Sequence, residues 1–305
     1  MSADDSGKVF DHADALPRDF SVGGGCRPMP LPRRVLLCPP DDFQVVDVKN
    51  EFMRGNVGAV DPAAARAQWD ALRSALSRLG LDVALVPPTP GCEDMVFAAN
   101  QTFPGLDARG GRVCVLSHMR HPSRRREVPA FADWFRGAGY EVVDPLPRDR
   151  FFEGCGDALW HPGRALIWGG HGERTSRDVY PALSARFGAP VLALELRAPP
   201  FYHLDTCFCA IDERTVLVHP AALTPQGLAL VRRVFPRVVE VDADEASRFM
   251  ACNAAAFLGR HVVVQSGATR TVAALRALGY EVHEVETSEF MKSGGSVFCL
   301  KMGVF

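Results

Sequence analysis

The stretch HVVVQSGATRTVAALRALGYEVHEVET, residues 261–287, contains the pattern that decides the fold. An apolar run starts at His261, a helical segment begins near Ala268, and a second apolar run follows Gly279. Short runs rich in valine and bounded by polar or turn residues are typical of buried strands. A glycine just after a helical segment is typical of a helix C-terminus. The stretch therefore predicts a strand–helix–strand unit.

The same pattern occurs five times along the chain. The first apolar runs are VLLCPP from Val35, VCVLSHM from Val113, ALIWGG from Ala165, TVLVHP from Thr215 and HVVVQSG from His261. The helical segments are residues 62–79 and those that start near Glu127, Thr175, Thr224 and Ala268. The second runs are LDVALVPP, YEVVDP, APVLALEL, PRVVEVDA and YEVHEVET. The segments that follow the second runs are GCEDMVFAAN, DRFFEGCGDALWH, PPFYHLDTCFCAI, ASRFMACNAAAFL and EFMKSGGSVFCLKM.

These last five segments carry the unusual polar and thiol side chains, always at the same place in the unit. A doubly wound sheet or a partial barrel would also alternate strands and helices. Neither explains the recurrence of the polar segments, so we predict an α/β fold, a closed ring of five ββαβ-type units with a central site. Residues 35–305 form one domain in this interpretation. Residues 1–34, rich in glycine and proline and without periodicity, are expected to be an extended or disordered arm.

Composition excludes several classes of protein. The 305 residues include 34 Lys+Arg and 36 Asp+Glu, a net charge of −2. The basic cluster Arg124–Arg126 is too short for a nucleic-acid surface, and no apolar stretch approaches the roughly 18 residues of a membrane span. The beginning MSADDSGKVF lacks a signal-peptide pattern, and nine cysteines show no disulfide regularity. We expect a cytoplasmic protein that binds a small molecule, and self-association is left open.

Cys299 is a candidate nucleophile. A cysteine in an apolar strand is most often a buried hydrophobic residue, but Cys299 follows the glycine-containing loop KSGGS, which allows close approach of backbone to a ligand. A thiolate can attack a poor electrophile without a metal. The pattern leaves both interpretations open.

His203 and Asp205 stand two residues apart in a strand-like run, so their side chains share a face. They could be a core histidine and its neighbour, a general acid–base beside a carboxylate, or part of a metal site. A metal site would need a further histidine such as His219 or His261, which lie away from the polar segments.

Carboxylates accompany glycines in the segment FEGCGD, where Glu153 and Asp157 could approach a planar ligand or only cap a tight turn. The first polar segment adds Asp94 and Asn100. A thiol, a histidine and several carboxylates at equivalent positions suit a substrate that is planar, cationic and electrophilic at carbon. A guanidinium group has these properties, because carboxylates bind its N–H groups in pairs.

Several motifs resemble the guanidino-group-modifying, or pentein, superfamily, whose fold is a five-bladed α/β propeller. FEGCGD, YHLDTCFC and GGSVFCL look like its signature motifs, and the resemblance extends from about Val35 to Val304. The superfamily includes arginine deiminases, amidinotransferases and dimethylarginine dimethylaminohydrolases. CPPDDF, EFMRGN, EDMVFAAN and FYHLDTCFC are most similar to arginine dihydrolases, which convert arginine to ornithine, ammonia and carbon dioxide. The chain departs from the pattern around Cys299, in SVFCLKM, and at its extended N-terminus.

The resemblance implies a role for each site residue. Cys299 would be the nucleophile and His203 the general acid–base, while Glu153 and Asp205 would hold the guanidinium group. Other residues would bind substrate; these are Asn50, Asp94, Asn100, Arg124, Asp157 and Arg174. In this scheme Asn100 takes the place of an acid in the deiminases, and Arg124 and Arg174 bind the substrate carboxylate.

The resemblance implies a covalent thiouronium intermediate on Cys299 and no metal or organic cofactor. A dimethylarginine dimethylaminohydrolase or an arginine deiminase, both giving citrulline, would be the related alternative. A metal-dependent enzyme built on His203 and Asp205, or a catalytically silent amino-acid-binding protein, would be alternatives of other classes.

Overall fold

The computed structural model describes residues 8–197 and 199–305, so the first seven residues of the predicted arm lie outside the described residues. The strands, in chain order, are β1 (Val9–Phe10), β2 (Arg34–Leu37), β3 (Asp82–Leu85), β4 (Thr102–Leu106), β5 (Arg112–Leu116), β6 (Glu141–Val143), β7 (Ala158–Trp160), β8 (Ile167–His171), β9 (Val191–Glu195), β10 (Phe208–Ala210), β11 (Thr215–Val218), β12 (Arg237–Glu240), β13 (Ala255–Phe257), β14 (His261–Gln265), β15 (Glu281–Val285) and β16 (Lys301–Val304).

The helices lie mostly between the two parallel strands of each unit. In chain order they are α1 (Val22–Gly25), α2 (Pro62–Arg78), α3 (Pro122–Arg125), α4 (Val128–Gly137), α5 (Tyr180–Phe187), α6 (Pro225–Val234), α7 (Ala243–Arg248), α8 (Thr269–Ala277) and α9 (Ser288–Met291). The predicted helical segment near Thr175 starts later, because a 3-10 turn at Arg177–Val179 precedes α5.

Within the described residues the strands form five small sheets, and the predicted α/β class is confirmed. The sheet orders are β16-β2-β3, β4-β5-β6, β7-β8-β9, β10-β11-β12 and β13-β14-β15, with β1 beside β9. In each sheet the central strand runs parallel to the strand after the helix and antiparallel to the third strand. We call these third strands, β4, β7, β10, β13 and β16, the antiparallel edge strands.

The first unit illustrates why the helices form where they do. The Asp61 side chain accepts hydrogen bonds from the N–H groups of Ala63 and Ala64 at the start of α2, and Pro62 occupies the first helical position. The buried face includes Trp69 and Leu72. The backbone then turns at a glycine with φ of 79°, where a side chain would be strained.

The N-terminal segment lies against two other parts of the fold. β1 adds to the third sheet by pairing in parallel with β9, and Pro28 forms a bridge with Arg164. Leu16, Phe20 and Val22 belong to a large hydrophobic cluster that also contains core strands. No helix among residues 8–197 and 199–305 is long and apolar enough to cross a membrane.

Candidate active site

Several of the predicted site residues lie just before the antiparallel edge strands. Asn100 precedes β4, Glu153 precedes β7, His203 and Asp205 precede β10, and Cys299 precedes β16. Four different units therefore contribute polar side chains to the site. In each unit these residues lie at the N-terminal end of the antiparallel edge strand.

Cys299 is 2% exposed and has two polar partners. Its thiol donates to Oδ2 of Asp205, with Sγ and Oδ2 3.1 Å apart. The side-chain amide of Asn253 donates to the same sulfur at 3.1 Å. The amide oxygen of Asn253 accepts the backbone N–H groups of Ser296 and Cys299. Asn253 therefore fixes both the loop before Cys299 and the orientation of its thiol.

Burial disfavours the charged forms of both groups of this pair. It raises the pKa of the Cys299 thiol well above its ordinary value, and the neighbouring Asp205 raises it further. Burial also raises the pKa of Asp205 to about 7, against an opposing contribution from the Cys299 hydrogen bond. The resting site therefore holds a thiol rather than a thiolate, and a cation placed beside it would favour ionisation.

The glycines before Cys299 are required by close contacts. Gly294 has φ of 84°, which other residues rarely adopt. A Cβ atom on Gly295 would lie 2.3 Å from the Phe97 ring and 3.1 Å from Cβ of Cys299. The loop can therefore pass between the ring and the thiol only with glycine at this position.

His203 is oriented by Glu153, with Nε2 and Oε2 2.7 Å apart. Oε2 of Glu153 also accepts Nη1 of Arg174 at 3.0 Å, and its other oxygen accepts the backbone N–H of Arg120. Burial alone would raise the pKa of Glu153, but Arg174 and His203 outweigh it and lower that pKa. An ionised carboxylate only accepts hydrogen bonds, so Nε2 carries the proton and Nδ1 of His203 is free.

The contacts of Glu153 differ from the role implied by the resemblance. Its carboxylate pairs with a histidine and an arginine of the protein instead of remaining free for a substrate guanidinium. Asp157 lies close by, with Oδ2 3.9 Å from Nε2 of His203, and its Oδ1 accepts the backbone N–H of Leu204. Burial raises the pKa of Asp157 to about 6.

Asn100 is held by a buried arginine. Nη1 of Arg124 donates to Oδ1 of Asn100 at 3.0 Å, and Nε and Nη2 of Arg124 pair with Glu127. The Asn100 amide nitrogen thus points the other way. A Cβ atom built on Gly156 would lie 2.5 Å from this nitrogen and 3.0 Å from Nδ1 of His203. The amide nitrogen of Asn100 and Nδ1 of His203 therefore lie beside the same small space next to Gly156.

The remaining predicted residues surround the approach to the site. Nη2 of Arg174 donates to the Lys49 carbonyl, and its guanidinium lies 4.7 Å from the centre of the Tyr202 ring. Asn50 donates to the carbonyl of Ser293 at 3.0 Å. A surface cavity of about 190 Å³ opens beside this group, and its lining includes Lys49, Asn50, Glu173 and Tyr202.

Asp94 belongs to a buried ion pair at the edge of the site. Its Oδ2 lies 3.1 Å from Nζ of Lys49, and its Oδ1 accepts the Ser293 hydroxyl at 3.2 Å. Burial alone would lower the pKa of Lys49, but Asp94, Asp47 and Glu93 raise it. Asp94 therefore contacts the loop before Cys299 through the hydroxyl of Ser293, and its carboxylate is not the one that bonds the thiol.

The sequence interpretation did not assign site roles to four residues that the structure places here, namely Lys49, Glu127, Tyr202 and Asn253. Asn253 bonds both to the backbone of the loop before Cys299 and to the Cys299 thiol. Asn253 lies in the fourth of the five polar segments, and this position indicates that it belongs to the site. Glu127 lies three residues after Arg124, a spacing that allows contact on a helical turn.

A candidate metal-binding group lies elsewhere. Among the residues described, three side chains with suitable spacing are His261, Glu281 and His283, on β14 and β15. Nδ1 of His261 is 3.2 Å from both Nε2 of His283 and Oε2 of Glu281. His203 and Asp205 are not members of this group.

Comparison with known proteins agrees with this geometry. A sequence model described as N,N dimethylarginine dimethylhydrolase, eukaryotic, matches residues 40–305. The bifunctional arginine dihydrolase/ornithine cyclodeaminase AgrE of Nostoc sp. is 37% identical over 274 residues, covering 89% of this chain and 38% of the relative. The chain thus spans little more than a third of that protein. The N(G),N(G)-dimethylarginine dimethylaminohydrolase of Mycobacterium tuberculosis is 35% identical, covering 93% of this chain and 89% of the relative.

Solved structures give the same result. The N-terminal domain of ArgZ, covalently bound to a reaction intermediate, matches with a TM-score of 0.83 at 33% identity, covering 89% of this chain and 97% of that one. The fold and these relatives define a class, the hydrolases that act on C–N bonds of amidines. The chain belongs to the dimethylarginine dimethylaminohydrolase family within the guanidino-modifying pentein superfamily.

Proposed function

We propose that this protein hydrolyses the guanidino group of arginine to ornithine, ammonia and carbon dioxide through a covalent intermediate on Cys299. The main support is a set of buried polar atoms that lack hydrogen-bond partners in the part of the chain that the structure describes. They are Nδ2 of Asn100, Nε of Arg174, Nδ1 of His203 and Oδ1 of Asp205. Buried polar atoms are normally paired, and a bound amino acid with a guanidinium group would pair these.

The chemistry follows from the positions of these atoms. The guanidinium group lies against Asp205 and Asp157, and its charge lowers the pKa of Cys299. The proton of the Cys299 thiol passes to Nδ1 of His203, and the resulting thiolate adds to the central carbon. His203 then delivers this proton from Nδ1 to the departing ammonia. Water, deprotonated by the same nitrogen, then releases citrulline from the thiouronium adduct.

The second hydrolysis repeats these steps on the ureido group. Cys299 adds to the ureido carbon, a second ammonia leaves, and water releases a carbamate that decomposes to ornithine and carbon dioxide. The amide nitrogen of Asn100 supports this step, because it can donate to the ureido oxygen while Arg124 holds the opposite end of the amide.

Arg174 is the better candidate for binding the substrate carboxylate. It has donors beyond those used for Glu153 and Lys49, including a buried Nε that lacks a hydrogen-bond partner among the described residues. Arg124 commits Nε, Nη1 and Nη2 to Glu127, Asn100 and the Asp94 carbonyl. We therefore assign Arg124 a positioning role, acting through Asn100.

We further propose that residues 35–305 form one five-bladed propeller with the site at one end of its axis. The support is that all five antiparallel edge strands contribute side chains to the walls of a single cavity, while the residues just before four of them form the site.

A dimethylarginine dimethylaminohydrolase is the second candidate, favoured by the family model that matches residues 40–305. Assaying the purified protein on arginine, dimethylarginine and agmatine, with citrulline, ornithine and ammonia as readouts, separates the two. Our proposal expects ornithine and about two ammonia per arginine consumed. Citrulline as the end product, or turnover of dimethylarginine alone, contradicts it.

A further inference from the structure

A second cavity lies among the antiparallel edge strands, apart from the candidate active site. It is a cavity of about 140 Å³, and its walls come from β4, β7, β10, β13 and β16 together with residues 29–32 of the N-terminal segment. None of the residues assigned above to catalysis or substrate binding lines it. The residues that precede the edge strands thus form the candidate active site, and residues further along the same strands form this cavity.

Lys301 is a buried cation on the wall of this cavity. The residue is 8% exposed, and its ammonium lies 3.4 Å from the centre of the Phe298 ring. This ring contact is the only direct interaction of the ammonium with a side chain or carbonyl of residues 8–197 and 199–305. Burial lowers the pKa of Lys301, and the nearby Cys155, Cys209 and Asp205 oppose that shift without reversing it. The cavity wall therefore carries an ammonium that makes no direct ion pair within the part of the chain that the structure describes.

The rest of the lining is apolar. The walls include Phe103, Trp160, Phe257 and Phe298. His161 is the only other lining side chain besides the cysteines that titrates, and burial lowers its pKa to about 4, so it is neutral. Its Nδ1 accepts from Trp168 and its Nε2 lies 3.3 Å from the Glu213 carbonyl. Lys301 therefore supplies the only charge among the lining side chains.

We propose that this cavity binds a small monocarboxylate with an aromatic or branched apolar body, its carboxylate paired with the Lys301 ammonium. A dry cavity of about 150 Å³ accommodates a benzene-sized group, which matches the volume here. Phosphate or sulfate would need several more donors than one ammonium offers. A cationic ligand would face Lys301 without any carboxylate side chain in the lining to balance it.

Two departures of the sequence from its family pattern meet at this site. One is the motif SVFCLKM, which contains Phe298 and Lys301, and the other is the N-terminal extension, which contributes Met29, Leu31 and Pro32. Both departures thus have a shared structural explanation in the walls of one binding site.

Calorimetric titration of the full chain with benzoate, and with the neutral isostere benzamide, tests this assignment. We expect saturable binding of benzoate with a Kd of about 1 mM or tighter. Loss of the charge-assisted contact should make benzamide at least about tenfold weaker. No saturation by about 10 mM benzoate, or equal affinities for the two ligands, would overturn the proposal.

Three variants locate the ligand. Lys301→Met should reduce benzoate affinity by about 10- to 100-fold and benzamide affinity little. Ala256→Leu fills the cavity without removing the charge and should reduce binding of both ligands, which keeps the test informative if Lys301→Met fails to fold. Arg174→Ala should leave benzoate affinity unchanged. If Arg174→Ala abolishes binding while Lys301→Met does not, benzoate occupies the candidate active site and the proposal is wrong.

Discussion

The thiol of Cys299 donates a hydrogen bond to the carboxylate of Asp205 across 3.1 Å, although the two residues lie in different units of the chain. Both groups are fully buried, and burial raises both pKa values, that of Asp205 to about 7. The thiol therefore stays protonated, and Asp205 is only partly ionised near neutral pH, until a cation arrives. A guanidinium substrate supplies that cation, so substrate binding and generation of the thiolate are coupled.

The first prediction concerns the nucleophile. Cys299→Ser should fold normally and lose turnover, because a serine hydroxyl in the same place lacks the nucleophilicity of a thiolate. Circular dichroism and steady-state kinetics on arginine measure the two properties. Cys114→Ser, in the buried core strand β5, is the matched control and should keep its kcat. Comparable activity in the two variants would remove Cys299 from the mechanism.

The second prediction separates carboxylate binding from structural support by Arg174. A charge-assisted contact to the substrate carboxylate contributes about 1.5–3 kcal/mol, so Arg174→Ala should weaken arginine binding by about 10- to 100-fold. Agmatine lacks this carboxylate and should be affected much less. KM and kcat for both substrates provide the measurement. Because Arg174 also contacts Glu153, equal losses for arginine and agmatine would mean that it acts by orienting His203.

The third prediction concerns the pH dependence of stability that follows from the raised pKa of Asp205. A carboxyl with a pKa of about 7 in the folded state and 3.8 when unfolded binds more protons when folded, so stability falls as pH rises between those values. Each tenfold change in proton affinity is worth about 1.4 kcal/mol, so Asp205→Asn should stabilise the protein at pH 8 by about 2–4 kcal/mol. The gain should disappear near pH 4.

Urea unfolding at several pH values measures this difference. Asp133→Asn is the matched control, because Asp133 is an exposed carboxylate paired only with Arg136 on the surface. Its stability relative to the unmodified protein should change little between pH 4 and pH 8. A pH-independent effect of Asp205→Asn would show that Asp205 is ionised throughout.

The sequence predicted the strand–helix–strand units because each depends on local patterns. The apolar run at His261 and the glycine with φ of 89° at position 279 both identify their elements without any tertiary information. The recurrence of polar segments also led to the residues that now cluster, including Cys299, His203 and Glu153.

The partners of those residues were not predictable. Glu153 and His203 are 50 residues apart, and Cys299 and Asn253 are 46 apart. Which oxygen or nitrogen each side chain uses depends on how separate units approach one another, and strand patterns do not contain that information. This is why Glu153 was assigned to the substrate while the structure pairs it with His203 and Arg174.

The last prediction concerns Asn100 and whether the reaction ends at citrulline or continues to ornithine. Arg124 holds Oδ1 of Asn100, which leaves its amide nitrogen as a donor beside Nδ1 of His203. In Asn100→Asp that donor becomes an acceptor, which repels the oxygen of a ureido group but not a guanidinium. We expect the product to shift from ornithine toward citrulline, with ammonia per arginine falling from about two toward one. Amino-acid analysis and an ammonia assay on the same samples measure this ratio.

Gln101→Glu provides the matched control for Asn100→Asp, because it introduces a neighbouring carboxylate that faces Glu127 instead of the proposed substrate position. The control variant should keep the ammonia ratio of the unmodified protein even if its stability falls. If Asn100 only caps the segment before β4, an aspartate would cap it almost as well and the ratio would not move. An unchanged ratio in Asn100→Asp would therefore remove the structural basis for the second hydrolysis.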